Sequence, residues 1–129
     1  MPDVSAKAGA SIVHFPECAL SGYVGTDFGS FDGFDWQLLE KETEKITQLA
    51  GQLKIRVVLG SVHKLPAGKK PYNSLHLIDP RGRIAGRYDK RFCTKGELRR
   101  HSPGSRFVYF TINGVKCSLL ICFDVRFPE

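Results

Sequence analysis

An α/β fold is predicted by three consecutive features of the amino-acid sequence. A short apolar run at Ser11–Phe15 is ended by Pro16 and indicates a buried strand. Asp35 is a candidate N-cap for an amphipathic helix that continues to about Leu53. The β-rich segment Arg56–His63 follows closely, so strand, helix and strand alternate as they do in α/β proteins.

The second half of the chain has the pattern of β-hairpins. Two pairs of segments have strand character: Tyr72–Asp79 with Arg83–Tyr88, and Phe107–Ile112 with Val115–Ile121. The turn Pro80-Arg81-Gly82 joins the first pair, and Asn113-Gly114, a strong short hairpin signal, joins the second. Between the two hairpins, Asp89–Ser105 is irregular and polar, and Cys18–Gly33 reads as a loop.

Both ends of the sequence look cut. Val4–Gly9 has the character of a helix end with no preceding element to pack against, and the chain stops at Glu129, shortly after Cys122. A sheet made only of these strands would leave unpaired edges and an uncovered face. We therefore expect residues 1–129 to form a single incomplete domain.

Composition excludes several classes of protein. A hydrophobic fraction of 42% and a charged fraction of 25% are typical of a globular chain. No apolar run is long enough to span a membrane, and residues 1–10 lack the pattern of a secretory signal, so the prediction is a cytoplasmic protein without membrane contact. The net charge of +6 is spread along the chain and does not favour nucleic-acid binding.

Cysteine and histidine spacing gives no metal motif. The sequence contains four of each: Cys18, Cys93, Cys117, Cys122, His14, His63, His76 and His101. None of the cysteines forms a CxxC pair, and the histidines show no ligand spacing relative to them, so a zinc site is not expected. Reduced thiols fit this chain better than disulfides do.

Cys122 is the first candidate for chemistry. It follows an apolar strand and precedes Phe123–Glu129, which could turn into a helix. A thiol at such an elbow lies near backbone N–H groups whose dipole favours the thiolate. Position alone does not decide this assignment, because most buried cysteines only pack as small hydrophobic residues.

Three charged residues are weaker candidates when each is taken singly. Glu17 follows the first strand and would lie at the carboxyl edge of the sheet, where open α/β sheets place their ligands. A solvated loop carboxylate is the more common interpretation of such a residue. Lys90 and Glu97, after the first hairpin, have the character of ordinary surface charges.

Taken together, these residues lie in segments that resemble a known family. The segments are FPECALSGY (Phe15–Tyr23), YDKRF (Tyr88–Phe92), Gly96-Glu97 and LLICFDVRFPE (Leu119–Glu129). In order and spacing they resemble the nitrilase superfamily of carbon–nitrogen hydrolases. The resemblance covers the chain from about Ala8 and implies part of the family's four-layer α-β-β-α sandwich.

The resemblance also implies a role for each residue. Cys122 would attack a carbonyl carbon, and Glu17 would act as general base. Lys90 and the backbone N–H of Phe123 would hold the oxyanion, while Glu97 would position the lysine and the substrate. Neither a metal nor an organic cofactor takes part in this scheme.

The residues after the cysteine indicate a branch of the superfamily. Phe123-Asp124 resembles the amidase, ω-amidase and N-carbamoyl amidase branches, whereas true nitrilases tend to carry Trp-Glu there. The expected partner is a small linear amide or N-carbamoyl compound, and the complete family domain is expected to form a homo-oligomer. Arg126 could meet a substrate carboxylate or pair with an internal acid.

Two alternatives stay open at this point. One is a truncated, non-catalytic family member that acts only as an interaction partner of a full-length relative. The other is a glutaminase-type domain that supplies ammonia, which predicts strict preference for glutamine and an attached synthetase.

Overall fold

The computed structural model describes residues 2–127 and has the alternating elements of an α/β protein. The helices and strands are α1 Pro2–Lys7, β1 Ile12–His14, α2 Trp36–Leu53, β2 Arg56–His63, β3 Tyr72–Ile78, β4 Ile84–Asp89, β5 Tyr109–Ile112 and β6 Val115–Ser118. Short 3₁₀ helices span Glu97–Arg99 and Cys122–Arg126.

The first four strands form one mixed sheet in the order β1-β2-β3-β4. β1 is parallel to β2, as a strand–helix–strand connection requires, and the other two pairs are antiparallel hairpin-type pairs. Gly60 of β2 pairs with Leu75 of β3, which in turn pairs with Tyr88 of β4. β5 and β6 form a separate two-stranded sheet.

Two apolar clusters sandwich the four-stranded sheet. On one face, the sheet packs against α2 through a cluster that includes Ala50, Val57 and Leu59. On the other face, Val58 and Tyr88 belong to a cluster with the chain around β5 and β6. Neighbouring residues of β2 therefore point to opposite faces. The described residues form three layers, helix, sheet and hairpin, and the predicted α/β class is confirmed.

The boundaries of α2 follow from its caps. The Asp35 side chain accepts a hydrogen bond from the Leu38 N–H at 2.9 Å, which confirms the predicted N-cap. At the other end, Lys54 adopts a left-handed conformation with φ 52°, and its N–H bonds back to the last helical turn. Within residues 2–127, neither helix is both long and apolar enough to cross a membrane.

The strand leading to Cys122 is shorter than predicted. β6 ends at Ser118, so Cys122 does not lie at the end of a paired strand. The Ser118 hydroxyl donates to the Val108 carbonyl at 3.0 Å, which occupies an acceptor that a longer ladder would use. Leu119 and Ile121 remain buried without strand pairing, because their side chains enter the core between the sheets.

Candidate active site

Glu17, Asn73 and Lys90 are brought together at one edge of the four-stranded sheet. Glu17 follows β1, and Lys90 follows β4, so both lie just beyond the ends of their strands. Asn73 is the second residue of β3, which runs antiparallel to β2 and β4. The start of β3 therefore meets the ends of its neighbours, and the Lys90 N–H bonds to the Asn73 carbonyl at 2.8 Å.

A glycine lets the Glu17 loop cross the sheet at very close range. A Cβ atom on Gly60 of β2 would lie 1.9 Å from the Pro16 carbonyl oxygen and 2.9 Å from the Cys18 nitrogen. The Leu20 N–H also bonds to the Gly60 carbonyl at 3.0 Å. Only a residue without a side chain fits between the strand and this loop. Gly60 therefore allows the loop to hold Glu17 at this position.

The Lys90 ammonium group lies between two carboxylates. Lys90 is 1% exposed, and its Nζ atom is 2.9 Å from Glu17 Oε1 and 2.5 Å from Glu97 Oε1. Burial by itself lowers the pKa of a lysine, but the hydrogen bonds and charges of Glu97 and Glu17 outweigh it and raise the pKa of Lys90 above its ordinary value. The lysine is therefore a stable cation.

The Glu97 carboxylate, at the start of its 3₁₀ helix, accepts two further hydrogen bonds. Its Oε1 accepts from the Tyr23 hydroxyl at 3.0 Å, and its Oε2 accepts from the Thr94 N–H at 2.7 Å. Burial raises the pKa of Glu97, yet the hydrogen bonds from Lys90 and Thr94 reverse this effect, so the net pKa is lowered. Burial and the Glu97 charge raise the pKa of Tyr23 to about 12.

Cys18 is the cysteine adjacent to Glu17 along the chain, and its thiol is a poor candidate for the nucleophile. The thiol is buried and donates to the Asn73 side-chain oxygen, with an S···O distance of 3.7 Å. Burial and the neighbouring Glu17 charge raise the pKa of Cys18 to about 12. A thiol with this pKa stays protonated at neutral pH and serves as a hydrogen-bond donor.

Cys122 begins the second 3₁₀ helix in a left-handed conformation with φ 46°. Non-glycine residues adopt this conformation at an energetic cost, which is often tolerated at functional sites and occurs at the strained elbows that carry nucleophiles. Cys122 is exposed, unlike Cys18. Within residues 2–127, its thiol makes no direct hydrogen bond to Glu17 or Lys90.

A buried carboxylate attaches this elbow to the strand that leads to Lys90. Asp124 accepts from the Tyr88 hydroxyl at 2.7 Å, the Phe92 N–H at 2.8 Å and the Ile121 N–H at 3.0 Å. Tyr88 and Phe92 flank Lys90 on either side. The Asp124 contacts therefore hold the chain around Cys122 against the chain around Lys90.

The remaining two predicted residues lie on the same short helix as Cys122. The Phe123 N–H belongs to the first helical turn, where backbone N–H groups have no acceptor within the helix. Arg126 is exposed, and its guanidinium carbon is 5.8 Å from the centroid of the Phe123 ring. Arg126 forms no ion pair with any residue between 2 and 127, so an internal acid does not hold it there.

Sequence reasoning missed three residues that support these groups. They are Tyr23, Asn73 and Asp124, which bond to Glu97, Glu17 and the Cys122 elbow respectively. Tyr23 and Asp124 lie inside the segments that carry the family resemblance. Asn73 had one available signal: an amide side chain inside an apolar strand needs a buried hydrogen-bond partner.

Comparisons with known proteins identify the family of this chain. The family model described as carbon-nitrogen hydrolase matches residues 4–129. The chain is 32% identical over 134 residues to the omega-amidase NIT2 of Mus musculus, covering 97% of this chain and 47% of that protein. It is 37% identical over 118 residues to an (R)-stereoselective amidase of Pseudomonas sp., covering 89% of this chain and 40% of that protein.

A solved structure has the same fold. A mutant amidase of Nesterenkonia sp. AN1 superposes with a TM-score of 0.82 at 21% identity, covering 98% of this chain and 50% of that one. That structure shows the product of Michael addition of acrylamide at the active-site cysteine of the amidase. The chain spans less than half the length of the two curated relatives. The extent of the family match shows that this chain belongs to the carbon–nitrogen hydrolase family.

Proposed function

We propose that the protein is a thiol amidohydrolase that cleaves a non-peptide carbon–nitrogen bond in a small linear amide or N-carbamoyl compound. The observation that carries the proposal is the buried contact of Lys90 with Glu17 and Glu97, on a chain segment that Asp124 ties to the elbow of the exposed Cys122. Charged groups held in a buried cluster and a nucleophile on a sharp turn are features that active sites often combine. The names of the amidase relatives support the same reaction class.

The proposed reaction divides amide cleavage into two easier steps. Glu17 takes the proton from the Cys122 thiol while the sulfur attacks the carbonyl carbon. The resulting oxyanion is held by the Lys90 ammonium and the Phe123 N–H. Glu17 then gives its proton to the leaving nitrogen, the carbon–nitrogen bond breaks, and a thioester remains on Cys122.

Water completes the reaction. Glu17, now unprotonated, takes a proton from a water molecule that attacks the thioester carbonyl. The carbon–sulfur bond breaks, the carboxylic acid leaves, and Glu17 returns its proton to the Cys122 sulfur. Glu97 keeps Lys90 charged and in place throughout, because their hydrogen bond holds the ammonium group in a buried setting.

Exposure of Arg126 supports an anionic group on the substrate. An exposed guanidinium group on the same short helix as Cys122 can bind a carboxylate in a bidentate manner. We therefore propose that the preferred amides carry a second, acidic group. The cytoplasmic location and the homo-oligomeric state expected from the sequence also stay predictions.

Ammonia release from a panel of amides tests the proposal directly. The panel includes a dicarboxylic acid monoamide, an uncharged amide of similar length, an N-carbamoyl amino acid and glutamine. The wild-type chain is expected to release ammonia, and Cys122→Ala is expected to lose at least about 10³-fold in kcat, because the nucleophile is gone. Cys117→Ala, which removes a thiol from β6 outside the site, is the matched control.

Two results would count against the enzyme proposal. Equal turnover by wild type and Cys122→Ala would show that another group performs the reaction. No turnover by the wild-type chain on any amide would favour the non-catalytic alternative, in which the chain only binds a full-length relative. A strict preference for glutamine would instead favour the glutaminase-type alternative.

A further inference from the structure

Asn73 forms hydrogen bonds with three residues at the site. Its side-chain nitrogen donates to Glu17 Oε1 at 2.6 Å, and its side-chain oxygen accepts from the Cys18 thiol at 3.7 Å. Its backbone carbonyl accepts from the Lys90 N–H at 2.8 Å. Asn73 is 1% exposed, so water cannot replace these contacts without opening the site.

The chemistry of the partners determines how the amide is oriented. A carboxylate only accepts hydrogen bonds, so the group facing Glu17 must be the NH₂ of Asn73. The Cys18 thiol has its pKa raised to about 12 by burial, and it therefore donates to the oxygen on the other side of the amide. Cys18 thus acts as a support for Asn73.

The two donors to Glu17 meet on the same oxygen atom. Asn73 Nδ2 and Lys90 Nζ both bond to Oε1, at 2.6 Å and 2.9 Å. Within residues 2–127, Oε2 accepts no hydrogen bond, and the Glu17 side chain is 23% exposed. Because Oε1 already accepts two hydrogen bonds, Oε2 is the oxygen of Glu17 that is available for proton transfer.

We propose that Asn73 is a positioning residue that fixes the rotation of the Glu17 carboxylate, so that Oε1 stays on Lys90 and Oε2 faces the reacting groups. This inference rests on the proposed amidase reaction, in which Glu17 moves protons, and it assigns that transfer to Oε2. Without the Asn73 amide, Lys90 alone would restrain the carboxylate about its terminal bond, which rotates easily.

Kinetics of two matched variants test the inference. Asn73→Ala removes the donor to Glu17, and Ser74→Ala removes a different, partly buried hydrogen bond from the same strand, the 2.6 Å contact with Asp89. Asn73→Ala is expected to lower kcat roughly 10- to 100-fold, with KM within about twofold, as supporting-residue changes commonly do. It should also move the acidic limb of the kcat/KM pH profile to higher pH, while Ser74→Ala leaves that limb in place.

An isosteric variant and a spectroscopic signal keep the inference testable if Asn73→Ala does not fold. Asn73→Asp keeps the size of the side chain and replaces the donor by an acceptor, so the same loss of kcat is expected. In the wild-type chain, NMR should show a side-chain amide proton of Asn73 shifted downfield by the carboxylate, and Glu17→Gln should reverse this shift.

The possible outcomes separate this inference from the proposed function. A kcat and pH profile of a folded Asn73 variant that match those of Ser74→Ala would overturn the positioning role. An Asn73 amide signal that does not respond to Glu17→Gln would also overturn it, even for a chain without turnover. If the amide signal responds while the wild-type chain hydrolyses no amide, the proposed function fails and the contact with Glu17 stands.

Discussion

At the scale of single residues, Lys90 shows how a charge is accommodated inside this protein. A buried ammonium group without partners would lose its proton or destabilise the fold, because desolvation costs several kcal/mol. Here two carboxylates accept its hydrogen bonds, and the excess negative charge of the cluster keeps the lysine protonated. The same arrangement gives a fixed positive charge at the edge of the sheet.

Cysteine reactivity provides a prediction at this scale. Burial raises the pKa of Cys18 to about 12 and that of Cys93 to about 11, so at pH 8 only roughly one thiol in 10³ to 10⁴ is ionised at these positions. Cys122 is exposed at the elbow. Iodoacetamide labelling followed by peptide mass spectrometry is expected to modify Cys122 at least about tenfold faster than either residue.

Cys117 serves as the internal control for this measurement, because it is partly exposed on β6 and away from the elbow. If Cys122 is labelled only as fast as Cys117, the elbow does not activate the Cys122 thiol. Faster labelling of Cys18 than of Cys122 would contradict the burial of Cys18 itself.

At the scale of elements, the crossing of the Glu17 loop over β2 determines the geometry of the site. The loop leaves β1 and passes so close to Gly60 that backbone atoms of Pro16 and Cys18 occupy the space of a Cβ atom. β2 is buried along almost its whole length, so it cannot move away from the loop. The distance from Glu17 to Lys90 therefore depends on Gly60, a residue that has no reactive group.

Gly60→Ala is predicted to damage both stability and activity. The added methyl group must displace backbone, so the free energy of unfolding is expected to fall by about 1–3 kcal/mol. A shift of Glu17 by a fraction of an ångström to about 1 Å should lower kcat by roughly 10- to 100-fold. Urea unfolding and ammonia release measure the two effects.

Gly29→Ala is the matched control, because a Cβ atom there meets no atom within 4 Å. It is expected to change the free energy of unfolding by less than about 0.5 kcal/mol, as surface substitutions usually do. Wild-type behaviour of Gly60→Ala would mean that the loop moves freely over β2, and the positioning argument for Glu17 would fail.

At the scale of the whole molecule, the sheet separates two environments. The candidate active site lies at one edge of the sheet. The face that packs against α2 forms a groove of about 780 Å³ with this helix. His76 lies in this groove and is 7% exposed. Desolvation, together with the nearby His63 and Arg87, lowers the pKa of His76 to about 4.

The stability of the fold is predicted to decrease in mild acid because of His76. Its pKa is lower in the folded chain than the ordinary value of 6.5, so the unfolded chain binds more protons between these values. The contribution of neutral His76 to the free energy of unfolding is complete above pH 6.5, and it is lost as the pH falls towards 4. The loss amounts to roughly 3 kcal/mol for a shift of this size.

Thermal or urea unfolding between pH 7 and pH 4 measures this effect. His76→Leu is expected to flatten the pH dependence, because the titrating group is removed. His14→Gln, which replaces an exposed histidine of β1, is expected to retain the slope of the wild type. An unchanged slope in His76→Leu would assign the acid sensitivity to other groups, such as Glu97, whose lowered pKa acts in the same direction at lower pH.

Several features of this protein follow from the sequence by itself. The β-rich composition of Arg56–His63 predicts β2, and Asp35 predicts the start of α2, because strand propensity and helix capping are local properties. The family resemblance of four short segments also depends only on residue order, and it selects Glu17, Lys90, Glu97 and Cys122 as candidates. The early end of β6 at Ser118 was not predicted, and at this residue the hydroxyl bonds to the Val108 carbonyl on the neighbouring chain segment.

Only the tertiary structure decided how those residues meet. Glu17 and Lys90 are 73 positions apart along the chain, and their contact exists because the end of β4 and the start of β3 lie beside the loop after β1. The roles of Asn73, Gly60 and Asp124 depend on contacts between distant segments, which no local pattern encodes. Local propensity can choose the elements of a fold, whereas burial and hydrogen bonding between remote residues determine a site.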